Sequence, residues 1–331
     1  MNLKNTPSRD DRQPLVTFIV TAYNLPIEQL RQCLDSIRAL SLNAAEREII
    51  LVDDGSDEPP ISALADYLDD ILYIRQRNAG LSAARNRGIG MATGEFLQFV
   101  DGDDYLLQAA YEHCLDQVRY GGADVVMFDL TDDATDSQPA DYNATDMDSG
   151  TELMAHHNIQ GSACGYLFRR HILGELRFTP GIYHEDEEFT PQLLLRAERI
   201  CSTDAQAYFY RRRQQSITGT ADVRTVVRRL ADKRQVISRL SAMADTLPNN
   251  DRLALQRRVA QLTMDYIYTI IIETRSRHFL NRKLASLRSE GLFPLPDRHY
   301  TTKYTWFRRM TNSSLGLSLL MRALPLLKKE R

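Results

Sequence analysis

Four polar segments, each following an apolar run near the start of the chain, carry the side chains best suited to chemistry. Thr21-Ala22-Tyr23-Asn24 follows the run Val16–Val20, and Asp53-Asp54-Gly55-Ser56-Asp57 follows Ile49–Val52. Asn78-Ala79-Gly80 comes after Ile71–Ile74, and Asp101-Gly102-Asp103-Asp104 closes Phe96–Val100. The last is the sharpest. Its three carboxylates within four residues repel one another unless a cation or solvent screens them, and hard divalent ions take oxygen ligands. The long acidic ladder of an EF-hand is absent; a site of two or three carboxylates suits Mg²⁺ or Mn²⁺ held jointly by protein and a substrate diphosphate, which points to a nucleotide substrate. Any one segment is ordinary turn chemistry, since Asx and Gly suit turns. Four of them converging on one sheet edge favour a site, because ligands of open α/β sheets bind beyond the carboxyl ends of the strands. No GxxxxGK[ST] occurs, and Gly88–Gly94 misses GxGxxG by one residue and precedes a strand, so P-loop and Rossmann readings fall.

The elements that must position these residues are legible as alternating patterns. The apolar, β-branched runs read as buried strands of a largely parallel sheet. Leu30, Leu34 and Ile37 recur at helical spacing after Pro26, and Ile61, Leu64, Ala65 and Leu68 do so after Pro59-Pro60. The order is βαβαβαβ, an α/β fold with right-handed crossovers. A helix is expected over 105–120 with a break at Gly121-Gly122, then a strand at 124–128. Residues 129–149 hold many aspartates and read as a solvated loop. A helix near 187–197 and an aromatic strand at 207–210 follow. Beyond Thr220 the pattern is helical over 222–246, 251–275, 277–290 and 314–328. Three regions result: a polar extension at 1–14, an α/β domain at 15–220 and a basic helical region at 221–331.

Composition bounds the rest. The chain has 331 residues, 43% hydrophobic and 26% charged, which is globular. Its net charge of −3 divides unevenly: residues 221–331 hold 22 Lys and Arg against 9 Asp and Glu. Such a basic segment meets nucleic acid, an anionic membrane or a phosphorylated substrate, or is a solvated helical surface. Cys33, Cys114, Cys164 and Cys201 form no CxxC pair and read as reduced thiols. The N-terminus is polar where a signal peptide is apolar, and no run approaches the roughly 18–20 apolar residues of a membrane span. The expectation is a cytoplasmic protein.

Taken in order, Ile19–Asn24, Val52–Ser56, Asn78–Asn86 (NAGLSAARN) and Phe99–Asp104 resemble the successive signatures of family 2 glycosyltransferases of the GT-A fold. His184-Glu185-Asp186-Glu187-Glu188-Phe189 resembles that family's ED motif, and Tyr210–Thr218 its closing Tyr-Arg…Ser segment. The resemblance covers residues 15–220. It implies a nucleotide-sugar-binding α/β fold and inverting transfer of a sugar from a nucleotide diphosphate donor, expected to be a UDP-sugar. The acceptor would be a hydroxyl of a glycan or lipid-linked molecule in cell-surface polysaccharide synthesis, the cofactor Mn²⁺ or Mg²⁺. Carried over residue by residue, Thr21 and Tyr23 would line the nucleoside pocket, and Asp53 and Asp54 would contact base and ribose. Asn24, Asn78 and Gly80 would lie on the donor side, and Arg85 near the base or diphosphate. Asp101 and Asp103 would be the DxD pair at ribose and metal, and Asp186 the general base. His184 is either a metal ligand or, as a lone His more often is, a hydrogen-bonding or surface residue. Arg211 and Arg213 share a strand face and would pair with the diphosphate or flank a strand end. Asp57-Glu58 stands where the family often has Thr-Asp, and Cys164-Gly165-Tyr166 where many members place a Trp.

The tail is read from pattern. Leu315, Leu317, Leu319, Leu320, Met321, Leu324, Leu326 and Leu327 crowd a segment ending in Lys328-Lys329-Glu330-Arg331. It is too short to span a bilayer and long enough to lie on one, and Trp306-Phe307-Arg308-Arg309 adds residues of the interfacial type. Either it docks on the cytoplasmic face of the inner membrane, as in bacterial family members that extend lipid-linked glycans, or it packs on the protein's own core. A nucleic-acid partner is not expected, since no recognition motif appears and the acidic front repels phosphates. A nucleotidyltransferase acting on sugar phosphates is the alternative activity. It would carry a Gly-rich, basic loop after strand one, where this chain has Ala22-Tyr23-Asn24-Leu25.

Overall fold

The computed structural model describes residues 13–133, 141–145, 148–212, 222–298 and 300–327. The chain divides into two compact units, Met1–Ser149 with Gly161–Gly181 and Gln192–Arg213, and Gly150–Gln160 with Ile182–Pro191 and Gln214–Arg331.

The first unit is built on one mixed sheet. Its strands are β1 (Val16–Ala22), β2 (Arg47–Asp53), β3 (Ile71–Arg75), β4 (Phe96–Asp101), β5 (Tyr105–Leu106), β6 (Val125–Thr131), β7 (Tyr166–Arg169) and β8 (Ile200–Phe209). Their spatial order is β3-β2-β1-β4-β7-β6-β8-β5. β1 is buried along its whole length, which is why it reads as an unbroken apolar run: both faces are covered. β1 to β4 are parallel, as the alternating order implies, but β7 runs antiparallel against both β4 and β6. Around the sheet lie α1 (Ile27–Arg38), α2 (Leu81–Met91) and α3 (Gln108–Asp116). α1 turns Leu30, Cys33, Leu34 and Ile37 inward, an i, i+3, i+4, i+7 stripe. All four cysteines of the chain are buried thiols.

Three local expectations change. The stretch after Pro59-Pro60 forms two 3₁₀ turns, Pro60–Ala63 and Ala65–Tyr67, and not an α-helix; Leu64, at φ −114° and ψ 31°, separates them, and Leu68 is exposed. The helix expected over 105–120 is shorter. Tyr105 and Leu106 pair with β8, α3 follows, and a π-type turn over 117–121 ends at Gly122 in the left-handed region. The acidic segment is not wholly loop, because β6 runs to Thr131 and bridges at Ala144 and Asp148 tie it to β8.

The second unit is helical: α4 (Gly150–His156), the first turn of α5 (Glu185–Leu194), α6 (Val223–Ala244), α7 (Asn249–Thr274), α8 (Arg277–Ser289), α9 (Thr302–Thr311) and α10 (Ser314–Leu327). α6 buries a stripe of Leu230, Lys233, Val236, Ile237, Leu240 and Ala244 against α7. α9 was not legible as a helix, and it corrects the reading of 306–309: Phe307 and Arg308 are buried, Arg308 pairing with Asp297 at 2.6 Å, while Trp306 is exposed. α10 joins both readings of the tail. It packs on α9 and α7 through Leu317 and Leu320, yet Leu315, Leu319, Leu326 and Leu327 face outward. Among the described residues no helix is long and apolar enough to cross a membrane.

Candidate active site

The carboxyl ends of β1, β2 and β4 finish together, since register pairs Ala22 with Asp53 and Thr21 with Asp101. The polar segments of the first two strands and the fourth are therefore neighbours by construction. The Thr21 hydroxyl donates to Asp101 Oδ1 at 3.4 Å. The turn after β4 then folds back, with the Gly102 N–H bonded to the Thr21 carbonyl at 2.9 Å. A Cβ at position 102 would lie 2.8 Å from that oxygen and 2.9 Å from Leu25, so the approach admits glycine alone.

Of the three carboxylates, the structure separates one from the other two. Asp104 is buried and turned inward: its Oδ2 accepts from the Tyr208 hydroxyl at 2.8 Å and its Oδ1 from the Arg211 N–H at 2.8 Å. Burial, reinforced by the neighbouring Asp101 charge, pushes it up to about 7. The same Tyr208 oxygen accepts from the Asp101 N–H at 3.0 Å, and Arg211 Nε donates to the Asp103 carbonyl at 2.9 Å. Tyr208 and Arg211, both at the end of β8, thus pin the whole turn. The three-carboxylate cluster inferred from sequence is accordingly a pair, Asp101 and Asp103, both partly exposed. Among the described residues no group of three or more His, Cys, Asp or Glu side chains is arranged to hold a metal ion.

Arg85, from α2, is a buried cation aimed at this edge. Its NH2 contacts Asp101 Oδ1 at 3.0 Å and Cys164 Sγ at 3.7 Å. The guanidinium lies between Phe99 and Phe178, at 5.8 and 5.3 Å from the ring centroids. Asn86 anchors that arrangement by exchanging two hydrogen bonds with the Phe178 backbone, at 2.8 and 2.9 Å. Buried charges are tolerated when paired, and here the partner is one of the two exposed carboxylates.

Asp53 and Asp54 brace the loops around the edge. Asp53 is fully buried; Oδ1 accepts from the Ser56 N–H at 2.8 Å, and Oδ2 from Tyr73 at 2.8 Å with Arg75 at 3.4 Å. Asp54 accepts from Gln76 Nε2 (2.7 Å), the Ala79 N–H (3.0 Å) and the Gly80 N–H (2.8 Å). Gly80 can present its N–H there because it sits at φ 87° just before α2, a conformation costly for any other residue. Asn24 and Asp57 exchange two more bonds, at 3.0 and 2.8 Å, so the substituted loop position Asp57 is a brace as well. Tyr23 and Asn78 stand exposed above these braces. A separate surface groove of about 380 Å³, lined by Arg47, Glu48, Asp69 and Asp70 among others, lies at the amino ends of β2 and β3, away from this edge.

Asp186 is the second residue of α5 and belongs to the second unit, where it is half-buried. His184 before it takes a left-handed φ of 65°. Burial, and after it the Lys233 charge, lowers its pKa to about 4, so it is neutral at physiological pH. Arg211 reaches Gln32 with its NH2 at 2.7 Å besides its bond to Asp103. Arg212 pairs with Asp132. Arg213 lies outside the described residues.

The chain is similar to known proteins in sequence and in fold. The family model "Glycosyl transferase family 2" matches residues 17–173. A Bacillus subtilis (strain 168) protein named "Uncharacterized glycosyltransferase EpsJ" is 32% identical over 220 residues, 62% of this chain and 63% of that one. Residues 17–173 match glycosyl transferase family 2, and the chain is similar to proteins named as glycosyltransferases. Its span is under two thirds of the length of this relative. S. aureus TarS 1–349, solved with UDP-GlcNAc, shares the fold at a TM-score of 0.63 and 16% identity, over 96% of this chain and 92% of that chain. The mannosyltransferase PcManGT of Pyrobaculum calidifontis, solved with GDP-Man and Mn²⁺, shares it at 0.53 and 14%, over 97% and 89%.

The fold is the α/β fold with a helical C-terminal region that the sequence implied; its sheet is parallel over β1 to β4, as expected, and carries antiparallel pairings at β7 and β5 that were not. The residues that sequence reasoning missed are the braces Tyr73, Gln76 and Tyr208; Ser56 and Asp57 stood in a segment it singled out, but their bracing role was not legible. Of the missed three only Tyr208 carried a signal, as part of an aromatic strand whose partner was not legible.

Proposed function

We propose that the chain is an inverting, metal-dependent glycosyltransferase that moves a sugar from a UDP-sugar to a hydroxyl of a glycan or lipid-linked acceptor. The observation that carries this reading is the sheet edge on which Thr21, Asp101 and Asp103 converge, with the buried Arg85 cation held against Asp101. Two partly exposed carboxylates, two residues apart on one pinned turn, suit a hard divalent cation. Asp101 and Asp103 would hold it, and when bound it supplies Lewis-acid neutralisation of charge on the leaving diphosphate.

The chain's own residues do the rest. Tyr23 and Asn78 face the nucleoside; Asp53 and Asp54 shape that pocket through the loops they brace. Arg85 keeps Asp101 oriented. Asp186 takes the proton from the acceptor hydroxyl as its oxygen bonds to the anomeric carbon and the bond to the diphosphate breaks, with inversion at that carbon. The outward face of α10, where Leu315, Leu319 and Leu326 stand near Arg322, would rest on an anionic membrane surface presenting the acceptor.

Calorimetry with UDP, with and without Mn²⁺, tests this on wild type and on Asp103→Ala. Metal-dependent UDP binding that disappears in the folded variant supports the reading. Unchanged affinity and metal dependence in that variant would remove Asp103 from the site.

A further inference from the structure

The first turn of α5 carries four acids in a row, Glu185 to Glu188. Successive helical residues point about 100° apart, so the row cannot face one way. Glu187 is held by cations from two different helices. Arg258 of α7 meets its Oε2 at 2.8 Å, and Lys233 of α6 lies 3.6 Å from its Oε1. Glu188 meets Arg239 of α6 at 2.7 Å. Just upstream, the Tyr183 N–H donates to Asp232 of α6 at 3.0 Å. The turn is therefore gripped on both sides of Asp186.

The grip is deliberate in its chemistry. Lys233 and Arg258 are 7% and 4% exposed, and Arg258 is aimed by bonds to Gln261 at 3.0 Å and the Ile159 carbonyl at 3.4 Å. Burying two cations is costly, and apolar residues of similar volume would stabilise the helix contact at least as well. What charged, hydrogen-bonded side chains supply in addition is direction.

From this geometry we infer that Lys233 and Arg258 are positioning residues for Asp186: by clamping Glu187 they fix the rotation of the first turn of α5 and so the direction in which Asp186 presents its carboxylate. The inference rests on the reading of Asp186 as the base. Burial alone would raise the Glu187 pKa; Arg258 and then Lys233 outweigh it and hold it below the usual carboxylate range, so the clamp stays charged at neutral pH. The basic helical region thereby acquires a role in the reaction through α6 and α7.

The test compares full-length wild type with Arg258→Gln, Arg258→Lys and Lys233→Met. It reads amide hydrogen exchange over 183–190, UDP affinity, and kcat and KM for sugar transfer. Arg258→Gln is expected to speed exchange in that turn and to lower kcat by about 10- to 100-fold, the scale of a small misplacement of a reacting group. UDP affinity should stay within about two-fold, since the donor residues are untouched, and Arg258→Lys should recover part of kcat. Lys233→Met, which leaves Arg258 on Glu187, gives the same pattern more weakly and serves if Arg258→Gln does not fold. Unchanged exchange, or faster exchange with wild-type kcat, overturns the inference. So does a lowered melting temperature with kcat per folded molecule intact. A wild-type chain that releases UDP from no donor overturns the reading of Asp186 and this inference with it, and is distinct from an active wild type whose variants equal it.

Discussion

Tyr208→Phe removes one oxygen and tests whether β8 holds the carboxylate turn. The Tyr208 ring is fully buried, and phenylalanine keeps its shape, so no cavity larger than the hydroxyl is made. Two bonds are lost: the one donated to Asp104 at 2.8 Å and the one accepted from the Asp101 N–H at 3.0 Å. A neutral bond contributes about 1 kcal/mol and one to a charged group about 1.5–3 kcal/mol, which together give a destabilisation of about 2.5–4 kcal/mol. Asp104 limits the loss, because a carboxyl already raised to about 7 can take up a proton once the donor is gone. Urea unfolding measures the stability term. UDP–Mn²⁺ calorimetry measures the functional one, with weaker nucleotide binding expected because the Asp101 backbone loses its anchor. A variant within about 0.5 kcal/mol of wild type, or one destabilised as calculated yet binding UDP–Mn²⁺ normally, would refute the claim that Tyr208 pins the site.

Asp186→Asn should keep UDP binding and lose transfer, since an amide preserves shape and accepts no proton; a rate above about a tenth of wild type, given the 10²-fold or greater worth of a general base, would place the base elsewhere. His184 makes stability depend on pH: its folded pKa of about 4 lies below the unfolded value of about 6.5, so its contribution is complete above about pH 6.5 and is lost as pH falls toward 4, by up to about 3 kcal/mol. Asp104, raised to about 7, acts in the opposite sense across that window, so the measurement is the difference between wild type and His184→Asn in urea melts at pH 4.5 and 7.5, Asn being tolerant of the left-handed backbone at this position. A difference that does not change with pH contradicts the assignment. Deleting 314–331 should release the protein from anionic vesicles in co-sedimentation, an attachment that salt weakens. Because Leu317 and Leu320 are buried, the deletion should also lower the melting temperature, and an intact chain that never sediments would leave α10 as a structural cap.

How much of this was legible in the sequence follows from what each signal encodes. β1, β2 and β4 announce themselves because strands covered on both faces need unbroken apolar runs. The polar residues ending them are found by adjacency. Strand order is not a local property: nothing around Tyr166–Arg169 says that β7 inserts antiparallel between β4 and β6. The two residues of β5 take their conformation from β8, with Tyr105 stacked on Phe209 at 4.5 Å, and therefore read as the start of a helix. The 3₁₀ turns after Pro60 share their Leu64 and Tyr67 burial spacing with an α-helix, which makes the two hard to distinguish from pattern. At the site the same limit applies. Asp101, Asp103 and Asp104 look equivalent in sequence, and only the pairing of β5 with β8, which brings Tyr208 and Arg211 to the turn, directs Asp104 inward. Arg258 and Lys233 sit in long helices among many basic residues, and nothing in the pattern sets them apart until α5 is placed beside them.

The measurement that tests the central claim most directly is nucleoside diphosphate release from a panel of nucleotide sugars by the full chain, with Mn²⁺, with Mg²⁺ and with a chelator. The account predicts release of UDP from at least one UDP-sugar, dependent on the cation and abolished in Asp103→Ala. No release from any donor under any condition would contradict it, and so would release of pyrophosphate from a nucleoside triphosphate and a sugar phosphate, the signature of a nucleotidyltransferase.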